Sequence, residues 1–257
     1  MLLPRLHGFE FGDQSWVPAT MRNMITYAVG RTFVIASAGE LMGEVLAALV
    51  QESGAPSILE LAAGSAMPSV ELSNELHRRG QAIPYCVSDK YPDLEAFQHA
   101  SNSAMGRIQF IDQPIDVLDV PQNLRGLRLM VTSFHHFRPE QAARLLRDAY
   151  ERRIPIAIFE LTDRRFLKTL SMFPLGFLTM LIHLPAAIKI HSWRALLWLF
   201  PAAFAFGWDG FMSCLRTYTV SELDSMTRTL GEGYRWRMGI IPTPLPGVKI
   251  TYLTGAA

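Results

Sequence analysis

Ile58-Leu59-Glu60-Leu61-Ala62-Ala63-Gly64-Ser65-Ala66 decides the fold. It reads as a short buried strand that ends in an acid and runs into a tight turn of small residues. Pro68 through Leu76 reads as the helix that follows. In a parallel α/β sheet this strand–turn–helix junction opens a crevice at the strand's carboxyl end, and the helix N-terminus offers free N–H groups there. Small residues let the backbone come close to a ligand.

Working outward, strands and helices alternate. Met21–Gly30 suits a helix, and Arg31–Val50 does so strongly, with Phe33, Leu41, Val45, Leu46 and Leu49 at helical spacing. Gly54-Ala55-Pro56 breaks it. Strands are expected at 58–62, 83–89, 108–111, 127–133 and 155–160, with helices at 68–79, 93–103 and 139–151 between them. Helix-length crossovers imply parallel strands. After a helix at 220–230, strands at 234–241 and 248–253 read as a closing antiparallel pair. The expected fold is α/β: a doubly wound, mostly parallel, seven-stranded sheet with an apolar helical insert after the fifth strand. Four segments follow: an N-terminal helical lid and first helix (1–50), an α/β core (51–165), a hydrophobic cap (166–215) and a C-terminal helix with two strands (216–257).

The 257 residues carry a net charge of +1 and no basic stripe interleaved with aromatics, so nothing points to a nucleic-acid surface and no nucleic-acid partner is expected. Two cysteines, Cys86 and Cys214, make no disulfide framework, and Met1-Leu2-Leu3-Pro4-Arg5 lacks the apolar run of a signal peptide. A cytoplasmic chain is expected, with membrane association open. Mean hydropathy of +0.16 is high, and the excess sits in 166–215. Thr169–Ile188 has no Asp, Glu, Lys or Arg, and 195–208 is apolar again. The chain must return to the same sheet, so membrane crossings must be even. The second run would reach only about 21 Å as a helix, against a hydrocarbon core of about 30 Å. Two placements survive. One is a cap of short, angled helices broken by Pro174, Pro185 and Pro201, turning Phe173, Leu178, Leu184, Trp198 and Phe204 toward an apolar acceptor. The other is a monotopic anchor or homodimer contact, with Arg164, Arg165, Lys168, Lys189 and Arg194 at lipid headgroups.

Glu60 and Asp89 end successive strands, and an acid at the end of the second is placed to accept from ribose hydroxyls. The turn has one glycine where G-x-G-x-x-G has three, so it suits a nucleoside ligand better than a pyrophosphate. His135 and His136 follow the fourth strand, where an imidazole can take a proton from an acceptor. Adjacent residues usually face apart, so one of the two is expected to act. No acid stands at ligand spacing beside them, and no metal is expected. Trp16, Arg22 and Tyr27 are candidates to lid the site, an aromatic gaining cation–π attraction near a sulfonium. Glu160, Asp163, Asp209, Arg216 and Tyr218 are secondary candidates, expected mostly in structural pairs.

Glu60-x-Ala62-x-Gly64-x-Ala66, then Asp89, then Asp116-Val117-Leu118-Asp119-Val120-Pro121 resemble class I S-adenosylmethionine-dependent methyltransferases. That family has E/D-x-G-x-G-x-G after its first strand and acids after the second and third. The resemblance covers roughly 35–165. Within the family the chain is similar to a bacterial group with Asp-Gln-x-Trp-x-Pro, Tyr-Pro-x-Leu-x-Ala-Phe and Phe-His-His-Phe-Arg-Pro, here at 13–18, 91–97 and 134–139. The resemblance implies a Rossmann-like methyltransferase fold and S-adenosylmethionine bound by Glu60, Ala62, Gly64, Ser65, Asp89, Lys90, Asp116, Val117 and Ser133. Gly64 would lie near the methionine part, Asp89 on the ribose, and Asp116 and Val117 at the adenine. The expected reaction is in-line methyl transfer to a small, largely apolar, natural-product or lipid-like acceptor, with His135 or His136 as general base. The acceptor would meet Trp16, Arg22, Tyr27, Phe134, Trp198 and Phe204. Two alternatives stay open: a degenerate fold used as a membrane- or partner-binding module, and an enzyme using the same cofactor for cyclisation or isomerisation.

Overall fold

Apolar runs of three to five residues closed by turn residues fold as strands, and the segments with helical spacing between them fold as helices. The computed structural model describes residues 1–14, 16–191 and 194–257. Along the chain come α1 (Ala19–Ile35), α2 (Ala38–Ser53), β1 (Ile58–Glu60), α3 (Met67–Arg78), β2 (Tyr85–Val87), α4 (Leu94–Ser103), β3 (Ile108–Phe110) and β4 (Leu127–Val131). They are followed by α5 (Pro139–Glu151), β5 (Ile156–Glu160), α6 (Phe166–His191), α7 (Arg194–Arg216), α8 (Val220–Thr227), β6 (Arg235–Pro242) and β7 (Lys249–Ala256). These pack as two compact units that cut across the four segments read from sequence. One holds Met1–Ile35 with Thr162–Tyr218, the other Ala36–Leu161 with Thr219–Ala257.

The α/β unit is a seven-stranded sheet in the order β3-β2-β1-β4-β5-β7-β6. β1 to β5 are parallel, while β7 runs antiparallel to both β5 and β6. β1, β4 and β5 are buried along their whole length, as central strands of a covered sheet must be. Arg128 is the polar exception. It is buried within β4, and its guanidinium pairs with Asp148 on α5 at 2.6 Å. Asp93 caps α4 by accepting from the Ala96 amide at 3.0 Å, and Thr219 with Glu222 forms a capping box on α8.

The helix expected over 31–50 is two helices. α1 ends at Ile35 and α2 starts at Ala38, with Ser37 between them in the left-handed region at φ +51°. Neither glycine nor proline marks the break. Ala36 and Ala38 are wholly buried, and only residues this small let the chain turn against its packing.

The helical unit is built on α1, α6 and α7. Met21, Met24, Ile25 and Ala28 of α1 pack with Met180 of α6 and Leu199, Ala202, Ala203 and Ala205 of α7. The prolines do not divide the insert into short helices: Pro174 and Pro185 lie inside the 26-residue α6, and Pro201 inside the 23-residue α7. All three are exposed, so the carbonyl each leaves without an amide faces outward rather than into packing. α6 and α7 touch backbone to backbone, since a Cβ added at Gly176 would sit 2.7 Å from Gly207 Cα. The lead-in is tied to α7 by polar groups. Arg216 pairs with Glu10 at 2.9 Å and donates to Gly8 O. Asp209 accepts from Phe11 N at 2.6 Å and Gly12 N at 2.9 Å, and burial pushes its carboxyl up to about 6 against those bonds. Asp163 holds Arg165 and Lys168, and Arg5 stacks over Tyr218.

Leu178 is 51% exposed and Phe204 56%. One expectation for the insert needs correction. Arg164 is buried and the Lys168 side chain only 10% exposed, so neither is placed for a headgroup. Leu184, Lys189 and Arg194 have side chains outside the described residues. Among the described residues, no single helix is long and apolar enough to cross a membrane.

The glycine contact predicts a stability effect. Gly176→Val should destabilise the helical unit by about 1–3 kcal/mol, the usual cost of overpacking. Chemical denaturation followed by circular dichroism measures it, and an unchanged midpoint would show that the helices can separate freely at this point.

Candidate active site

The turn after β1 holds an alternating backbone: Ala62, Gly64 and Ala66 stand at φ +52°, +56° and +54°. Glycine adopts this region freely, whereas an alanine there costs about 1–2 kcal/mol. Neighbouring loops hold the turn in place. Leu61 N donates to Leu129 O at 2.8 Å, Ala63 N to Ser88 O at 3.1 Å, and Ala66 N to Ala63 O at 2.8 Å. Ser65 is half-buried, and Gly64 is exposed with nothing within 4 Å of where a Cβ would stand. The space above the turn is open.

Asp89 closes this arrangement. One carboxylate oxygen accepts from Gly64 N at 2.8 Å and the other from Tyr91 N at 2.9 Å. Asp89 therefore ties the turn after β1 to the turn after β2, and each oxygen keeps a further lone pair. Beside it, Lys90 pairs with Asp116 at 2.7 Å, and Asp116 also accepts from Leu118 N at 2.9 Å. The Lys90 hydrogen bond holds the Asp116 carboxyl below the usual range. Val117 is buried. Glu60 lies inside the packing, 1% exposed, and accepts from Tyr85 Oη at 2.5 Å. Burial raises its carboxyl to about 7, opposed by the hydrogen bond from Tyr85.

The end of β4 is strained. Thr132, a β-branched residue, stands at φ +50°, its amide donating to Phe159 O at 2.7 Å. Ser133 follows, buried, its Oγ without a hydrogen-bond partner among the described residues. The chain then makes a single 3₁₀ turn, Phe134–His136. His135 is buried and held twice by Glu160 at the end of β5: its amide donates to Oε1 at 2.9 Å, and Nδ1 lies 2.8 Å from Oε2. An ionised Glu160 can only accept, so in this pair Nδ1 carries a hydrogen. The His135 and His136 rings are 4.4 Å apart at 34°. The expectation that these neighbours face apart fails because one tight turn keeps the rings side by side. Sequence spacing also missed the Glu160–His135 bond, since the partners are 25 residues apart and meet only because β4 and β5 are adjacent. The available signal was that Glu160 ends its strand as Glu60 ends β1.

The acceptor-side candidates divide between the units. Phe134 belongs to the α/β unit, buried against Phe137 with ring centres 6.5 Å apart. Trp16, Arg22, Trp198 and Phe204 belong to the helical unit. There Phe11 gathers Trp16 at 5.9 Å and Phe204 at 6.1 Å, and Trp198 packs against the α1–α7 core. Arg22 donates to Gln14 O and Val17 O, so it fastens the lead-in to α1. The Tyr27 side chain lies outside the described residues.

No family model matches the chain, and no curated protein matches it. Solved structures do. A plantazolicin methyltransferase in complex with S-adenosylhomocysteine matches at TM-score 0.59 and 14% identity, over 95% of this chain and 93% of that one. Human N-acetylserotonin methyltransferase in complex with S-adenosylmethionine matches at TM-score 0.53 and 14% identity, over 92% of this chain. A candidate O-methyltransferase from Nostoc punctiforme matches at TM-score 0.51 and 16% identity, over 91% of this chain. The chain spans 60% of the Nostoc protein and 55% of the human one. The shared feature is the fold, the Rossmann-like fold of these methyltransferases.

Two outcomes follow from the strained turn and the buried acid. Ala62→Gly and Ala66→Gly should each raise stability by up to about 1 kcal/mol, the left-handed strain removed less the extra freedom of the unfolded glycine chain. A fall in the denaturation midpoint would mean the methyls pack more than they strain. Glu60, at about 7 in the fold against an ordinary 4.5, keeps a proton that the unfolded chain has lost between those values. Its burial therefore costs stability as pH rises through that window, on the order of 3 kcal/mol in full above it. Glu60→Gln should flatten the fall in stability between those two pH values, read from denaturation midpoints.

Proposed function

We propose that this chain is an enzyme that transfers a methyl group from S-adenosylmethionine to a small, largely apolar acceptor. The observation that carries this reading is the turn after β1, three left-handed residues long and tied through the Gly64 amide to Asp89. The residues fit a nucleoside cofactor. The space over Gly64 is open, the Asp89 oxygens have lone pairs left, and the buried Ser133 Oγ has no partner among the described residues.

When bound, S-adenosylmethionine supplies the methyl group. On the protein's side, Asp89 is the acceptor for the ribose hydroxyls and Asp116, steadied by Lys90, is the group at the adenine end. Ser65 and the Gly64 backbone would meet the methionine part, and the Ser133 hydroxyl would complete its hydrogen bonding on the ligand. His135 Nε2 takes the proton from the acceptor's hydroxyl or amine, and Glu160 holds the ring's tautomer and stabilises the imidazolium that forms. The apolar class of acceptor rests on the composition of the helical unit. A reducing compartment such as the cytoplasm suits the two free thiols, Cys86 and Cys214.

Calorimetric titration should show binding of S-adenosylmethionine and S-adenosylhomocysteine, weakened about ten- to hundredfold by Asp89→Ala, the worth of one charge-assisted hydrogen-bond pair. With acceptor in hand, His135→Ala should lower turnover by about 10²–10⁴-fold while cofactor affinity holds, with Glu160→Gln between it and the parent. Failure of both ligands to bind at millimolar concentration would sink the proposal. Full turnover in a variant lacking both histidines would remove the base from it.

A further inference from the structure

Every exposed residue of α6 and α7, among those described, is apolar. A surface helix of a water-soluble unit shows the reverse pattern, polar outward and apolar inward. On α6 the outward stripe runs through Leu167, Leu170, Leu178 and Ile182, with Leu167 78% and Ile182 63% exposed. On α7 Leu197 and Phe200 continue it, Phe200 67% exposed. The rings of Phe177 and Phe200, 5.8 Å apart, join the two helices into one face. From Leu167 to Ile188 that face is about 32 Å long.

We propose that this face seats the protein on an anionic lipid bilayer, lying in the interface of one leaflet. Three observations choose this occupant. Among the described residues, the exposed side chains of this face include none able to hydrogen-bond, whereas an interface between protein copies has about one hydrogen bond per 100–200 Å² and a polar rim. Hydrocarbon asks for neither. Charge supplies the second. Residues 163–209 hold five Lys and Arg against two acids, Asp163 and Asp209, a net of +3 where the whole chain carries +1. Arg164 is buried and the Lys168 side chain only 10% exposed, which leaves Arg165, Lys189 and Arg194 for a surface. Arg165, 40% exposed beside its partner Asp163, stands at one end of α6, and the sequence puts Lys189 near the other end of α6 and Arg194 at the start of α7. Cations bracketing an apolar stripe suit acidic headgroups on either side of it. Depth follows from Pro174 and Pro185. Neither can donate to the carbonyl four residues before it, Leu170 O and Leu181 O, and a bare carbonyl is tolerated at the hydrated boundary but not in the bilayer core. The proposal stands apart from the methyl-transfer reading and would hold for any activity of the α/β unit.

The test is sedimentation of the full chain with vesicles of phosphatidylcholine, alone and mixed with phosphatidylglycerol. Binding to the mixed vesicles should be about tenfold tighter or more, and should weaken with salt. The exposed pair Leu170→Glu and Ile182→Glu should lower it at least tenfold, with the parent's thermal midpoint and cofactor affinity retained. Tryptophan fluorescence of the unaltered chain should be quenched most by lipids brominated near the headgroup, a reading that needs no variant. Equal binding to both vesicle types, undiminished binding by the double variant, or strongest quenching from the bilayer centre would overturn the proposal. So would a dimer in solution that the same two substitutions dissolve while vesicles bind nothing.

Discussion

Parallel pairing is the constraint on which the α/β unit depends. Parallel neighbours in register must end on the same edge, and here Glu60 pairs with Val87 of β2 and Leu129 of β4, and Val131 with Phe159 of β5. Everything reactive lies on the segments that leave this edge. The glycine–alanine turn leaves β1, Asp89 follows β2, Ser133 and the two histidines follow β4, and Glu160 ends β5. Apart from Glu160, which still pairs with Thr251 of β7, these segments have left the ladder, and their amides and carboxylates bond to one another. Gly64 N on Asp89 and His135 on Glu160 are two instances of the same necessity.

Part of the fold's backbone strain sits at this edge. Ala62, Ala66 and Thr132, three of the six non-glycine residues in the left-handed region among those described, stand on the segments that follow the adjacent strands β1 and β4. Such residues persist only where surrounding bonds over-determine them. Those bonds are visible: Ala63 N to Ser88 O, Leu61 N to Leu129 O and Thr132 N to Phe159 O, each reaching to a neighbouring strand or its end. The buried Glu60 adds to the cost, its carboxyl raised to about 7 and steadied by Tyr85. The sheet's buried apolar strands supply the stability that these local costs draw down.

The helical unit obeys a different balance. Where α6 meets α7 the residues are small, Gly176 against Gly207 with alanines on α7 nearby, so these helices approach at backbone distance, while Met21, Met24, Ile25, Met180 and Leu199 fill the core against α1. The remaining large residues, Leu167, Ile182 and Phe200 among them, stand outside. Polar contacts in this unit serve the lead-in, through Arg216, Glu10 and Asp209, and leave the outer faces of α6 and α7 untouched.

Periodicity and turn residues alone determined the strand–helix alternation, the parallel core, the closing antiparallel pair and the strand-to-turn junction at Glu60–Ala66. These are local properties: an apolar run of three to five residues bounded by turn formers can be little else. The acids at strand ends were legible for the same reason. Tertiary structure alone decided the rest. The α1–α2 break at Ser37 comes from packing around two buried alanines, and no residue type announces it. The persistence of α6 and α7 through three prolines depends on which side of the helix each proline faces. The pairing of His135 with Glu160 needs β4 and β5 to be neighbours. The grouping of residues 1–35 with 162–218 is set by contacts between segments more than a hundred residues apart, to which spacing along the chain is blind.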